Sequence, residues 1–203
     1  MKDLSKRQFF DQEARGWDDR YHQDDASQIR KLVDRFDLKP RDWVLDVGTG
    51  NGILLPHLFE KVEDEGKIVA LDFSWRMVFE AAKVKKTADI YFINACCETL
   101  PIKDQTFDCI ACLATFAHVN GKSKALNEMS RVLKKGGRLY IAHFLGKKEL
   151  EQHHRLAGGA VEQDTLPPDS EMREMMEKTG LKDVRIVDQP GLYLASARKS
   201  LSC

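Results

Sequence analysis

The stretch Val44-Leu-Asp-Val-Gly-Thr-Gly-Asn-Gly52 constrains this chain more than any other. An apolar run of strand character passes into three glycines spaced one residue apart, then into Ile53-Leu-Leu-Pro-His-Leu-Phe59. A strand that empties through a glycine loop into a helix is the opening unit of an α/β domain. Glycine allows φ > 0 and carries no Cβ, so a ligand can press against this backbone. The first amides of the following helix can then meet an anionic group. Such a loop does not name its ligand, because dinucleotides and phosphates both use one. Two details narrow the choice. The fingerprint G-x-G-x-x-G would need glycine at position 53, which is Ile, and no Gly-Lys-Ser/Thr follows the loop. Asp46, two residues before the first glycine, repels a phosphate and suits a ligand that carries an amine or another cation.

Short β-rich runs alternate with helical stretches along the rest of the chain, as in a mostly parallel sheet covered by helices. Strands are expected at 43–47, 67–72, 90–95, 107–113, 138–144, 184–188 and 192–197. Only Gln189-Pro190-Gly191 separates the last two. A connection that short permits an antiparallel pair and no parallel crossover. Leu126, Met129, Val132 and Leu133 fall on one face of a helix that Gly136-Gly137 is placed to end. Met172, Met175 and Met176 make a similar core-facing stripe before Gly180. Residues 9–36 read as mainly helical, while from 145 to 168 the periodicity fades into an irregular or partly helical segment.

Composition removes several classes of function. Thirty-two Lys and Arg balance 32 Asp and Glu in 203 residues, so there is no net field to hold a polyanion and no nucleic-acid partner is expected. The longest nearly apolar run, 109–117, is about half of what a membrane span needs, so none is expected. The charged N-terminus lacks the apolar stretch of a secretory signal, and the five cysteines fit reduced thiols, which together point to the cytoplasm. Cys109-Ile-Ala-Cys112 has the spacing of a redox pair but lies within an apolar strand, where two buried structural cysteines are expected. The sequence carries no signal for an oligomeric state.

The second strand closes on Asp72 in Ile68-Val-Ala-Leu-Asp72. In α/β nucleotide binders an acid at this point accepts hydrogen bonds from the ribose hydroxyls. Asp46, the glycine loop and Asp72 together suit an adenosine-bearing cation. At this point the chain resembles the class I S-adenosylmethionine-dependent methyltransferases, and within them the ubiquinone/menaquinone-biosynthesis-like, type 11 group. The resemblance runs from about Phe9 to Arg198 and rests on ordered motifs. Asp46-Val-Gly-Thr-Gly-Asn-Gly52 resembles the first and Leu71-Asp72-Phe-Ser74-Trp-Arg-Met77 the second. Cys97-Glu-Thr-Leu-Pro101 and Thr106-Phe-Asp108 resemble the segment around the fourth strand. Glu128-Met-Ser-Arg131-Val-Leu-Lys-Lys-Gly136-Gly137 resembles the helix and turn before the fifth.

The resemblance implies a Rossmann-like three-layer sandwich with a seven-stranded, mostly parallel sheet whose last strand is antiparallel. It implies one methyltransferase domain over 1–203, with a helical cap at 1–37 and a substrate-covering insertion at 145–168. S-adenosyl-L-methionine is the implied cofactor, and since the residues identify no essential base, a non-catalytic binder of it or a regulatory protein on the same fold stays open as the second reading. Its amine and carboxylate would lie near Asp46, Gly48 and the backbone around Ala114, with Gly50, Asn51 and Gly52 completing the loop. Asp72 would hold the ribose, while Phe73 and Met77 would pack on adenine. Where many relatives have an Asp facing the adenine amine, this chain has Cys96; the Cys97 amide and the Glu98 carboxylate are the remaining candidates. Tyr21, a helical turn after Trp17, is placed to close over the cofactor.

The ends of the fourth and fifth strands offer His118 and His143. Either suits a general base, since imidazole titrates near neutrality, and either suits a plain hydrogen bond to a loop carbonyl. His153 and His154 fall in the covering segment, where contact with substrate, a metal shared with His143 and simple solvation stay open. Adjacent histidines on a helix diverge by about 100°, and no Cys or carboxylate completes a ligand spacing, so no metal is expected. Methyltransferases that act on exocyclic amines of nucleic acid or on glutamine carry Asn/Asp-Pro-Pro-aromatic after the fourth strand. Ala114-Thr-Phe-Ala117 stands there instead, which leaves a small-molecule methyl acceptor.

Overall fold

The computed structural model, which describes residues 2–16, 26–84 and 89–201, draws seven strands into one sheet. They are β1 (Trp43–Val47), β2 (Lys67–Asp72), β3 (Ile90–Asn94), β4 (Phe107–Leu113), β5 (Leu133–His143), β6 (Leu181–Gln189) and β7 (Leu192–Lys199). Their order is β3-β2-β1-β4-β5-β7-β6. The first five pair in parallel, whereas β7 runs antiparallel between β5 and β6. The sheet edge therefore ends in the hairpin that the Gln189-Pro190-Gly191 turn requires. The order reverses beside β1, where β2 and β4 diverge to either side, and open α/β sheets bind their ligands outside such a point.

Side chains alternate across the sheet, so each strand serves two cores. Val44 joins Ile68, Ala111 and Tyr140 under the helices α2 (Ala26–Val33) and α3 (Leu55–Val62). Leu45 and Val47 join Ile110, Leu139 and Ile141 under α5 (Lys122–Val132) and α7 (Asp169–Lys178) on the other face. Burying one such aliphatic side chain contributes about 1.5–3 kcal/mol, so the two faces together hold the three layers. Cys109 and Cys112 are free and fully buried, one on each face, as structural cysteines should be. Arg138 ties the entry of the chain to β5: its guanidinium donates to Asp42 Oδ2 at 2.6 Å and to the Asp37 carbonyl.

One expectation changes. The glycines Gly136 and Gly137 do not end a helix. α5 stops at Val132, β5 begins at Leu133, and the glycines lie inside the strand. Leu133 pairs with Phe107 and Arg138 with Cys109, so the intervening residues bulge from the ladder. A Cβ at Gly137 would stand 2.8 Å from the Lys134 carbonyl oxygen, which is why the bulge needs glycine there. The segment 145–168 is partly helical, one of the two forms its pattern left open: Lys147–Ala157 forms a helix, α6. Its register is set by Glu149, whose carboxylate accepts from the Gly146 and Gly191 amides at 2.9 and 2.8 Å. Its inward face buries only Leu150 and His154, too few apolar positions to show a helical period.

At the N-terminus, α1 (Lys2–Glu13) lies against α4 (Trp75–Ala81), with Phe10 packed among Phe73, Met77 and Val161. Trp17 and Tyr21 lie outside the described residues. Among the described residues no helix is long and apolar enough to cross a membrane.

Candidate functional site

The carboxyl ends of β1, β2, β4 and β5 open into a cleft with two adjoining lobes. One, the α6 lobe, encloses about 480 Å³ between the glycine loop, His143, α6 and Phe10. The other, the β3 lobe, encloses about 460 Å³ beside Ala95, Cys96, Cys97 and Glu98. Gly48, Asp72, Phe73, Thr115 and His118 border both, so the lobes form one continuous site.

Asp46 ends up at the floor of the α6 lobe, 1 % exposed, with neither carboxylate oxygen hydrogen-bonded. Burial pushes its carboxyl up to about 7, opposed by the nearby Thr49 hydroxyl and helped by the Asp72 charge. A buried carboxylate without a partner costs several kcal/mol of desolvation, so this position favours a ligand that brings a positive charge. Asp72 is buried as well, and burial raises it to about 6. Its Oδ2 accepts from the Gly50 amide at 3.0 Å and its Oδ1 from the Ser74 amide at 2.8 Å. The Phe73 amide also bonds this carboxylate, and a carboxylate has about four acceptor sites, so capacity remains for a hydroxyl donor. The Ser74 hydroxyl in turn caps α4 by accepting from the Met77 amide at 3.2 Å, which fixes Asp72 at the strand end.

The glycine loop is shaped by one close approach. The single Thr115 hydroxyl proton is shared between the Leu113 carbonyl at 2.9 Å and the Gly48 carbonyl at 3.1 Å. A Cβ on Gly48, whose φ is +71°, would fall 2.1–2.6 Å from the Thr115 side chain. Glycine is therefore imposed by the β1–β4 junction. Gly50 and Asn51 border the α6 lobe, but Gly52 does not: a Cβ there would meet Val84, Leu55 and Ala81. At the third glycine it is helix packing that leaves no room for a Cβ. Ala114 borders the cleft with φ +52°, a left-handed conformation at the end of β4.

Of the remaining candidates, Phe73 borders both lobes and Met77 lies under the α6 lobe. Cys96, Cys97 and Glu98 line the β3 lobe. There Glu98 Oε1 accepts weakly from the Gly121 amide at 3.4 Å, and the Cys97 thiol donates to Oε2 at 3.5 Å. His143 is 2 % exposed, and its Nε2 is buried without a hydrogen-bond partner. Burial, reinforced by His118 and His154, lowers its imidazole to about 3, so it is neutral.

His118 is the most heavily engaged. Its Nδ1 lies 2.7 Å from Asp164 Oδ2, while Lys6 Nζ lies 2.6 Å from Asp164 Oδ1. Lys6 and Asp164 carry no motif: one is a lysine in an N-terminal helix, the other an acid in the segment of faded periodicity. Nothing in the sequence pairs them. His154, turned inward by α6, sets its Nδ1 2.6 Å from the Asp164 carbonyl and its ring 4.8 Å from that of His118. His153 is exposed at the rim.

Comparisons with known proteins agree with this geometry. A family model described as a methyltransferase domain matches residues 45–141. A ubiquinone/menaquinone biosynthesis C-methyltransferase UbiE from Teredinibacter turnerae is 31 % identical, the match covering 82 % of this chain and 80 % of that protein. The corresponding protein of Geotalea daltonii is 37 % identical over 59 % of this chain and 53 % of its own. The chain spans about half the length of the first curated relatives it matches. Among solved structures, a SAM-dependent methyltransferase from Aquifex aeolicus shares 28 % identity with a TM-score of 0.69, over 86 % of this chain and 94 % of that one. A Haloferax volcanii methyltransferase solved with the Trm112 activator shares the fold, with a TM-score of 0.75 at 24 % identity over 94 % of this chain and 97 % of that one.

Proposed function

The chain belongs to the S-adenosylmethionine-dependent methyltransferases, and on that premise we propose that it methylates a small molecule held in the α6 lobe. The observation that carries the reading is Asp46, a carboxylate buried beside the glycine loop with only the neutral Thr49 hydroxyl near it and no cation among the described residues to balance its charge. It fits the ammonium end of the cofactor. Asp72 fits the ribose hydroxyls, and Phe73 with the β3 lobe around Cys96, Cys97 and Glu98 fits the adenine. Gly48, Gly50 and the strained Ala114 backbone would then flank the methionine part.

The bound cofactor supplies a methyl group on a positively charged sulfur, so the protein needs chiefly to align an acceptor and exclude water. Residues of the α6 lobe are suited to that. Phe10, Phe144, Leu145 and Leu150 give it apolar walls, and its volume of about 480 Å³ is shared between the methionine part of the cofactor and a compact organic acceptor. His118 and His143 supply the convergent polar groups. The curated relatives are named for C-methylation in ubiquinone and menaquinone biosynthesis, which supports an apolar or aromatic acceptor here. The balanced charge of the chain favours such a molecule over a polyanion.

Calorimetry tests the reading. S-adenosylmethionine and S-adenosylhomocysteine are expected to bind, and NADH is not. Asp72→Ala should weaken binding by about 100-fold or more, the loss of hydrogen bonds to a charged acceptor. No binding to either ligand, or an unchanged affinity in Asp72→Ala, would overturn it.

A further inference from the structure

We propose that Lys6 and Asp164 act as positioning residues that hold His118 with its proton on Nδ1, leaving Nε2 to take a proton from a phenol- or enol-bearing acceptor. The chemistry rests on the methyl-transfer reading above; the geometry of the tautomer stands on its own.

A carboxylate only accepts hydrogen bonds and an ammonium only donates them. Asp164 Oδ2, 2.7 Å from His118 Nδ1, therefore requires a proton on that nitrogen. The other oxygen, Oδ1, is committed to Lys6 at 2.6 Å. Lys6 cannot drift, because the same Nζ donates to the His118 carbonyl at 2.9 Å and to Asn120 Oδ1 at 3.0 Å. All three protons of the ammonium are thus in use, and the cluster is largely buried: the side chains of Lys6, Asp164 and His118 are 9, 10 and 14 % exposed. Asp164 also orients a second ring. Its backbone carbonyl accepts from His154 Nδ1 at 2.6 Å, which gives that imidazole the same tautomer. His118 borders both lobes, and on this proposal its remaining nitrogen is assigned to the cleft.

The charged and titratable groups around His118 come from five elements. They are Lys6 of α1, Asp164 after the 3-10 turn Gly159–Val161, Lys122 of α5, His154 of α6 and His143 of β5. Burial lowers the imidazole below its ordinary value, outweighing the pull of Asp164, and Lys6 and Lys122 add to the lowering. A neutral, weakly basic imidazole suits an acidic hydroxyl of phenol or enol type better than an alkyl alcohol. The proton passes from that hydroxyl to Nε2. The electron density left on the acceptor forms the new bond to the methyl carbon as the carbon–sulfur bond breaks. The imidazolium, held against Asp164, later returns its proton to water.

Lys6 gives the proposal a specific signature. In Asp164→Asn the amide has one oxygen, and the Lys6 ammonium can face only that oxygen. The amide nitrogen is then turned toward His118 Nδ1, which must give up its proton and become the acceptor. Removing Lys6 as well frees the amide to rotate and restore the original tautomer.

The experiment is ¹⁵N NMR of the full chain labelled at histidine, near neutral pH and without cofactor, with His118 assigned by its loss in His118→Gln. The expected result is a protonated Nδ1 and a bare Nε2 in the wild type. Asp164→Asn should invert that pattern, the double variant Lys6→Met with Asp164→Asn should restore it, and Lys6→Met alone should raise the pKa of His118. A wild-type His118 with its proton on Nε2 would overturn the proposal without any variant. So would an Asp164→Asn protein that folds and keeps the wild-type tautomer. Calorimetry with S-adenosylhomocysteine on the same samples keeps the two readings separate: failure of the wild type to bind removes the methyl-transfer reading, whereas the tautomer spectra judge only the cluster.

Discussion

At the β1–β3 end of the cleft, the side chains come from the residues that end each strand or follow it directly: Asp46 and the glycine loop from β1, Asp72 and Phe73 from β2, Cys96 to Glu98 after β3. At the other end, His118, His143, His154, Asp164 and Lys6 are drawn from separate elements, and Asp164 meets His118 across 46 residues of chain. The first region holds two buried acids, one of them unpartnered. In the second, Asp164 is fully engaged by Lys6 and His118. Such a division suits a ligand common to many proteins on one side and an acceptor particular to this chain on the other. Strand ends fix geometry through the sheet, whereas a cluster gathered from covering helices changes with any of them.

The sharpest way to break the first region is Gly48→Ala. Its Cβ would overlap Thr115 at 2.1–2.6 Å on a backbone at φ +71°. Overpacking and left-handed strain together should cost about 3 kcal/mol or more, read as a fall in melting temperature and loss of S-adenosylhomocysteine binding.

A smaller effect of opposite sign is expected from Asp46→Asn. Folding raises the Asp46 carboxyl from 3.8 to about 7, so between those values the folded chain holds a proton that the unfolded chain releases. The stability of the free protein therefore falls as pH rises through this window, and Asp72, raised to about 6, adds to the fall. Replacing Asp46 removes its share. Asp46→Asn should be more stable than the wild type at about pH 8, by on the order of 2 kcal/mol or several degrees of melting temperature, while binding the cofactor less well. The smallest effect should come from Gly50→Ala. Its φ is +56° but nothing lies within 4 Å of the added Cβ, so only backbone strain of about 1 kcal/mol is expected.

The same contrast explains what the sequence made legible. The sheet could be read because each strand is an apolar run with a turn signal beside it, and the hairpin because three residues admit one topology. Asp46, Gly48 and Asp72 could be read because contiguous spacing carries them to strand ends. Gly136 and Gly137 misled because two glycines after a helix resemble a stop, and only the pairing of Leu133 with Phe107 reveals the strand already begun. The segment 145–168 could be read only as irregular or partly helical, and the bounds of α6 were not legible, because its buried face carries a histidine where a periodic pattern needs an aliphatic residue. The Lys6–Asp164–His118 cluster left no trace, since tertiary packing alone joins it. The spacing that put Gly52 in the loop did not show that Val84 and Ala81 also pack against it, which appears only in the folded chain.

The central claim is that Asp46 is the carboxylate which receives the cationic end of the cofactor. Asp46 must be ionised to do so, and below about pH 7 the free protein holds it protonated, so binding there must expel a proton. The decisive measurement is the affinity for S-adenosylhomocysteine from about pH 6 to 8, by calorimetry in buffers of different ionisation enthalpy. The expected result is an affinity that falls by up to about tenfold per pH unit below neutrality, with protons released on binding, and a reduced proton release in Asp46→Asn. A wild-type affinity that stays constant across that range, with no proton released, would contradict it.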